Sequence, residues 1–226
     1  MRAPGTQCPS REDLEALRKL ARTTEATKGG SPSYSLWHVI RALEALSKEP
    51  LGRPALASAL GLGESSVKTM LARLEAAGLV AKLPRGHCAT PEGRRALEAV
   101  SRYVKVVGCS IGGLQGFGDC VAALVRSKPP LELVDVYAVR DHLVSRGCRT
   151  AIIGYVVEGS AGFPGLPEQI QGLILASLPL GQLAEVSAEG ALLVTPRACE
   201  AALFEAAVEV LLSSCREPPV NRPRAP

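Results

Sequence analysis

Ser110 has the clearest sequence pattern for covalent chemistry, because "GCSIG" at 108–112 fits Gly-x-Ser-x-Gly directly after a predicted strand. In a hydrolase, this serine would be a nucleophile exposed on a tight turn between a strand and a helix. The residues that follow predict a poor helix start. The later histidine, His142, lies beside Asp141, which cannot orient the imidazole as a catalytic triad does. We therefore expect no catalytic residue and no enzymatic activity.

The same loop is rich in glycine, a residue that often lines phosphate sites. Val121 occupies the position where a dinucleotide-binding loop requires its third glycine, and the chain contains no Gly-x4-Gly-Lys-Ser/Thr run, so no cofactor is predicted. The backbone N–H groups could still line a small anion site, with charge from Arg140 and Asp141. The alternatives are a flexible connection and ordinary surface ion pairs. The glycines concerned are Gly112, Gly113, Gly116 and Gly118.

The seven cysteines show no Cys-x-x-Cys spacing, and His87 has no second ligand at metal-binding spacing beyond its neighbour Cys88. We therefore predict no metal site. We expect small buried apolar residues in a reducing cytoplasm. A disulfide is the alternative in a thermophile, and the spacing selects no pair. The cysteines are Cys8, Cys88, Cys109, Cys120, Cys148, Cys199 and Cys215.

A different kind of chemistry is indicated by "GLGESSVKTMLARLEAAGLV" at 61–80, which predicts an amphipathic helix that ends at Gly78. Its apolar stripe is Val67, Met70, Leu71 and Leu74. Its other face carries Ser65, Ser66, Lys68, Thr69 and Arg73. Short hydroxyl side chains allow close approach, and together with a guanidinium they can hydrogen-bond phosphates or base edges. Ser65 could instead serve only as a helix cap.

The elements before and after this helix are predicted from periodicity and capping residues. Helices are expected from Ser10 to about residue 21, and over 34–48, 53–62 and 90–103, with short strands at 79–83 and 88–90. Trp37 and His38 are expected to pack in the core. Because each piece is too small to bury its own apolar face, the pieces should share one core of roughly 70 residues.

The pattern changes after residue 103. Strands are predicted at 104–108, 120–125, 150–157 and 190–195, and helices at 133–147 and 196–214. Residues 158–167 are predicted as a loop, while 168–178 are ambiguous between helix and strand. The long apolar helix at 196–214 is a candidate dimer surface, with core packing as the alternative.

Composition narrows the class of protein. The chain has 226 residues, 46% of them hydrophobic, and a net charge of +4, which permits an anionic partner without requiring one. Aromatic residues make up only 4%, which disfavours stacking of single-stranded bases. No apolar run reaches ~18 residues, and the N-terminus lacks a signal-peptide pattern, so we expect a cytoplasmic protein without a membrane span.

The segment "GRPALASALGLGESSVKTMLARLEAAGLV", followed by "AKLPRGHCATPEGRRAL", resembles the winged helix-turn-helix domain of prokaryotic transcription regulators. The whole chain is similar to archaeal winged-helix proteins with a C-terminal domain of unassigned function. The resemblance implies that the helix at 64–77 enters a DNA major groove and that the hairpin tip, with Arg85 and His87, holds the adjacent backbone or minor groove.

We therefore expect an α+β protein that binds double-stranded DNA as a homodimeric transcription regulator and responds to a small-molecule effector. The expected parts are an N-terminal helix and linker (1–33), the winged helix-turn-helix domain (34–103), an α+β effector-binding and dimerisation domain (104–215) and a disordered tail (216–226). The expected DNA contacts are Ser65, Ser66, Lys68, Thr69, Arg73, Arg85 and His87. The alternatives are a winged-helix protein-interaction module and an enzyme with a regulatory N-terminal domain.

Overall fold

The computed structural model describes residues 9–26, 30–126, 133–184 and 189–214, and within these ranges the protein is a mixed α+β molecule. Its helices are α1 (Arg11–Arg22), α2 (Leu36–Lys48), α3 (Arg53–Leu60), α4 (Glu64–Ala76), α5 (Pro91–Tyr103), α6 (Leu133–Ser145), α7 (Glu168–Ser177), α8 (Leu180–Ala184) and α9 (Glu200–Ser214). Its strands are β1 (Val80–Leu83), β2 (Gly86–Ala89), β3 (Val104–Cys109), β4 (Cys120–Val125), β5 (Ile152–Val157), β6 (Ser160–Gly162) and β7 (Gly190–Pro196). Cys8, Cys215, the predicted tail and parts of the 1–33 segment lie outside the described residues.

Capping residues set the limits of several helices. The Ser10 hydroxyl accepts a hydrogen bond from the Asp13 N–H at 3.1 Å, and α1 begins at the next residue. The Thr90 hydroxyl likewise accepts from the Gly93 N–H at 3.0 Å, which fixes the start of α5. Helix α4 is followed by Gly78 at φ +72°, a left-handed conformation that a glycine adopts without strain.

The first half of the molecule is a helical assembly with a small hairpin. Strands β1 and β2 pair antiparallel across a two-residue turn, and β2 also pairs through an isolated bridge between Leu51 and His87. Helix α4 packs mainly against α3 and β1, and α1 packs against α5. The hairpin therefore lies directly after α4 and is fixed to the chain segment that precedes α3.

The second half is built on a five-stranded antiparallel sheet in the order β3-β4-β7-β5-β6. Side chains alternate between its faces, as the pleat requires. Val121 and Ala123 of β4 face the core shared with the helices of the first half. Ala122 and Leu124 of the same strand face a second core, formed with α7 and α8.

Three details of this half differ from the sequence prediction. The segment predicted as a loop at 158–167 contains edge strand β6, because Glu158 and Gly159 form a two-residue turn with φ of +50° and +79°. The ambiguous segment at 168–178 is helix α7, and it is followed by the short α8, which was not predicted. The predicted helix at 196–214 begins at Glu200, after one 3₁₀ turn at Arg197–Cys199.

Helix α9 joins the two halves. It packs against α2 and α1 on one side and against β4 and β7 on the other, so one apolar core spans both halves. Its apolar side chains belong to this core, which explains the hydrophobicity that had suggested a dimer surface. Helix α5 also ends at Tyr103 directly before β3 begins at Val104, so no linker separates the halves.

Four cysteines are paired, so the expectation of unpaired buried cysteines is wrong for them. Cys109 and Cys120 lie opposite each other on β3 and β4 and form a disulfide with their Cα atoms 4.9 Å apart. Cys148 and Cys199 form a second disulfide over a Cα distance of 5.6 Å. Both pairings depend on the tertiary fold, which cysteine spacing alone does not reveal. Cys88 is a free thiol.

The described part of the chain lacks two features that define other classes of protein. No helix there has the length and apolar character needed to cross a membrane. No group of three or more His, Cys, Asp or Glu side chains is arranged there to hold a metal ion.

Candidate nucleic-acid interface

The outward surface of α4, formed by Ser65, Ser66, Lys68 and Thr69, is called here the α4 outer face. Ser65, Lys68 and Thr69 are exposed and Ser66 is half-buried, while the apolar stripe on the opposite side is buried. The Thr69 hydroxyl donates to the Ser65 carbonyl at 3.1 Å, within the helix. The N-cap of α4 is Gly63, so Ser65 does not serve as the capping hydroxyl. The α4 outer face is therefore a compact polar surface open to solvent.

Arg73 was predicted to share this surface, but its guanidinium makes hydrogen bonds inside the protein. Its Nη1 donates to the Glu25 carbonyl at 2.8 Å and to the Thr23 carbonyl at 3.1 Å, both just beyond the end of α1. A cation suits this position, because the last carbonyls of a helix carry partial negative charge and need donors. The hydroxyl of buried Tyr34 donates to the same Thr23 carbonyl at 3.0 Å, and burial raises the pKa of Tyr34. Arg73 thus connects α4 to the end of α1.

The hairpin places its two predicted DNA contacts in different environments. Arg85 is exposed at the turn, next to Leu83, whose side chain is 41% exposed. His87 is instead held against α4, because its Nε2 lies 2.9 Å from a Glu75 carboxylate oxygen. The backbone of His87 also exchanges two hydrogen bonds with Leu51, at 2.9 and 3.0 Å. His87 therefore anchors the hairpin, while Arg85 remains at its tip.

The glycine-rich loop between β3 and β4 is held in place by a disulfide, by hydrogen bonds and by two buried side chains. The Cys109–Cys120 disulfide closes its base, and the Ser110 hydroxyl donates to the Gly118 carbonyl at 2.5 Å. Ile111 and Phe117 are buried and are joined by a backbone hydrogen bond of 2.9 Å. The four predicted ligand-binding glycines of this loop are all exposed.

The charged residues expected to complete a site at this loop are both on α6. Arg140 and Asp141 are exposed on α6 and pair with each other at 3.3 Å, while the Arg140 guanidinium lies 5.4 Å from the centre of the Tyr137 ring. In the described ranges, no hydrogen bond or ion pair joins either residue to the glycines. A ligand site formed by these residues and the glycines therefore stays a prediction.

Sequence reasoning missed a polar cluster between the two halves. Glu205 is only 6% exposed on α9, and its Oε2 pairs with the Arg146 guanidinium at 3.1 Å. His142 of α6 and His38 of α2 lie near this carboxylate, and burial lowers the pKa of both histidines, while the Glu205 charge opposes that shift. His38, predicted as a packing residue, accepts a hydrogen bond from the Ser35 N–H at 3.2 Å through Nδ1. The available sequence signal was the presence of two acids, Glu205 and Glu209, within the apolar run "ALFEAAVEV".

Comparison with known proteins finds a match to a described family over part of the first half. Residues 38–95, which run from α2 into α5, match the family model described as PH0730-like, N-terminal domain. Among solved structures, the chain is similar to a hypothetical protein, PH0730, from the archaeon Pyrococcus horikoshii OT3. The two share 22% identity with a TM-score of 0.49, over 78% of this chain and 91% of the other. No curated protein matched the chain.

Proposed function

We propose that this protein is a sequence-specific, double-stranded DNA-binding transcription regulator of the winged helix-turn-helix type, controlled by a small molecule. The observation that carries the proposal is the α4 outer face. It is a solvent-exposed helical surface of short polar side chains and one lysine, with a hairpin beside it. A helix with such a surface can lie deep in a major groove, where hydroxyl groups reach base edges and phosphates.

The order of elements supports the winged-helix interpretation. Helices α3 and α4 are joined by a short turn at Gly61–Gly63, and the hairpin follows α4 immediately. The Leu51–His87 bridge adds a third short extended segment to the hairpin. In this arrangement α4 acts as the recognition helix, and the hairpin acts as a wing that places Arg85 against the DNA backbone.

The seven predicted DNA contacts then divide into two roles. The α4 outer face and Arg85 contact DNA directly, because these groups are open to solvent or nearly so. Arg73 and His87 instead hold α4 and the wing at a fixed angle, through their bonds to Glu25 and Glu75. Either side chain would have to give up these internal bonds in order to contact a base, which offsets much of the gain from binding.

The proposal includes a symmetric homodimer, because regulators of this type read two half-sites with two equivalent recognition helices. Because α9 is buried, α6 is the better candidate for the contact between the two subunits of the dimer. Tyr137 and Val144 lie seven residues apart on one face of α6, and they are 51% and 47% exposed. Light scattering should give twice the chain mass for the wild type and a monomer for Tyr137→Glu. A monomeric wild type would remove the dimer from the proposal.

Selection of bound fragments from genomic DNA, followed by fluorescence anisotropy on the best fragment, tests the function directly. We expect one or a few related sequences and an affinity that falls steeply as salt rises, because phosphate contacts release bound counterions. The Thr69→Ala variant should bind the selected sequence less tightly while it retains the wild-type free energy of unfolding. Absence of duplex binding even at low salt would contradict the proposal.

A protein-interaction module is the second candidate, and one observation favours it. Leu83 is an exposed apolar residue at the hairpin tip, where a wing that contacts DNA would be expected to carry polar side chains. If Leu83→Ser leaves DNA affinity unchanged and Arg85→Ala lowers it, the tip acts on DNA. If neither variant changes DNA binding, the interaction module becomes the better explanation of this surface.

A further inference from the structure

A cavity of about 260 Å³ lies where the two halves meet, between the end of α1, the start of α2, α6 and α9, and is called here the junction pocket. Its polar lining consists of Thr24, Glu25, His142, Arg146, Glu205 and Glu209. Its apolar lining includes Leu36, Val208 and Leu212. Small-molecule sites commonly occupy such junctions and combine an apolar wall with a few polar groups.

Two buried polar atoms at this pocket have no hydrogen-bond partner in the described ranges. They are Oε1 of Glu205 and Nε2 of His142. The other oxygen of Glu205 pairs with Arg146, so one half of a carboxylate that is 6% exposed lacks a donor. A buried polar atom left without a partner is unfavourable, so a ligand that supplies a donor here gains affinity.

The charge of the lining indicates which ligand fits. Glu25, Glu205 and Glu209 contribute three carboxylates against the single guanidinium of Arg146. Burial and the Arg146 charge lower the pKa of His142, so this imidazole adds no further positive charge near neutral pH. The described residues offer no metal-binding cluster, which favours an organic cation over a metal ion.

We propose that the junction pocket binds a small organic cation through a primary ammonium group. The ammonium donates hydrogen bonds to Oε1 of Glu205 and to Nε2 of neutral His142. The hydrocarbon part of the ligand packs against Leu36, Val208 and Leu212. No covalent step is involved, and the site binds reversibly.

The pocket has a direct structural connection to helix α4. Thr24 and Glu25 line the pocket, and the Glu25 carbonyl accepts the 2.8 Å hydrogen bond from Arg73 of α4. A ligand that shifts this short segment changes the anchor of α4. This part of the inference rests on the proposed function, and it requires that the ligand bind the DNA-competent and DNA-incompetent arrangements with different affinity.

A larger cleft lies beside Trp37 and has a volume of about 490 Å³. It gives weaker support for a bound ligand than the junction pocket does. Two of its carboxylates are already paired within the chain, Glu44 with Arg41 at 3.0 Å and Glu200 with Arg197 at 3.6 Å. This difference makes Glu200 a matched control, because it lies on the same helix as Glu205 but outside the junction pocket.

Isothermal titration calorimetry on the full chain, with n-butylammonium as the probe, tests the proposal. We expect one binding site and no binding of butan-1-ol or butyrate at the same concentrations. Glu205→Gln should weaken binding by about tenfold or more, because a charged hydrogen bond is lost, while Glu200→Gln should bind as the wild type does. Binding of butan-1-ol equal to that of butylammonium would overturn the proposal, as would unchanged affinity in Glu205→Gln.

A second variant protects the test against misfolding of Glu205→Gln. Leu212 is half-buried at the pocket wall, so Leu212→Trp should fill the cavity and abolish butylammonium binding without altering the carboxylate. In the wild type, amide NMR shifts should change at Thr24, Glu25 and His142. Shifts confined to residues outside the pocket would overturn the proposal.

The two proposals fail in distinguishable ways. If butylammonium binds but no DNA duplex does, the pocket stands and the regulator function fails. If a selected duplex binds but butylammonium does not, the regulator function stands and the pocket inference fails. If both bind, butylammonium should change DNA affinity in the wild type, and this effect should disappear in Glu205→Gln.

Discussion

Helices α4 and α9 have similar lengths, yet the fold uses them in opposite ways. Helix α4 buries one apolar stripe and leaves a polar surface in solvent. Helix α9 is buried on almost every side between the first-half helices and the sheet, and a single buried acid, Glu205, interrupts its apolar surface. The contrast shows that a strongly apolar helix lies at the centre of the structure, whereas an amphipathic helix keeps one side in solvent.

The largest expected effect is the loss of stability caused by a substitution in the core-facing side of α9. Leu203→Ala should lower the free energy of unfolding by about 2–5 kcal/mol, because this fully buried side chain leaves a cavity in the shared core. Chemical denaturation followed by circular dichroism measures the loss. Both halves should unfold in one transition, and Thr69→Ala on α4 should change stability by less than about 0.5 kcal/mol. Two separate transitions would show that α9 does not couple the halves.

A substitution in the hairpin beside α4 should cause the next largest loss of stability. Gly86 has φ +136°, and a Cβ atom there would collide with the Leu51 carbonyl. Gly86→Ala should therefore destabilise the protein by about 1–3 kcal/mol. Gly112→Ala is the matched control, since a Cβ at Gly112 meets nothing within 4 Å. Equal stability of the two variants would show that the hairpin is not held closely against residue 51.

A smaller effect is expected on DNA binding, without a change in stability. Lys68 is exposed on α4, so Lys68→Ala should remove about one phosphate contact and reduce the slope of log affinity against log salt by about 1. Lys105 lies on β3, in the other half, and Lys105→Ala should leave the slope unchanged. Equal slopes for the Lys68→Ala variant and the wild type would show that Lys68 makes no phosphate contact.

The smallest effect is a pH dependence that originates around α9. Burial, reinforced by the charge of Arg146, lowers the pKa of His142, and the nearby carboxylates of Glu205 and Glu209 oppose this shift. The unfolded state then binds more protons as pH falls through about 6.5, so stability is complete above that pH and declines below it. Urea midpoints at pH 7.5, 6.5 and 5.5 should fall in that order, and less steeply in His142→Gln. Midpoints that rise on acidification would show that the cluster is stabilised by protonation.

Local signals in the sequence predicted much of the fold. Helix α4, its apolar stripe, the hydroxyl caps at Ser10 and Thr90, and the turn at Gly78 all follow from residues close together in the chain. The mixed α+β class was also predictable, because strand and helix periodicities alternate after residue 103.

Features that depend on distant residues were not predictable. The spacing of cysteines contains no information about which strands become neighbours, so neither disulfide was assigned. Helical spacing placed Arg73 with Ser66 and Thr69, but the carbonyls that Arg73 binds lie 48 and 50 residues away. The junction pocket was missed for the same reason, because its polar groups come from the segment after α1, from the end of α6 and the residue that follows it, and from α9.

Helix α5 continues into β3 without a linker, and this affects how chimeric proteins could be made from the two halves. Tyr103 is clamped at this joint, since its hydroxyl donates to Asp13 at 2.9 Å and its carbonyl accepts from the Arg126 N–H at 2.8 Å. A chimera cut between 103 and 104 would separate β3 from the tyrosine that is bonded to Asp13. We therefore expect a stable exchange of the sheet onto another helical unit to require that Asp13 and Tyr103 be transplanted with it.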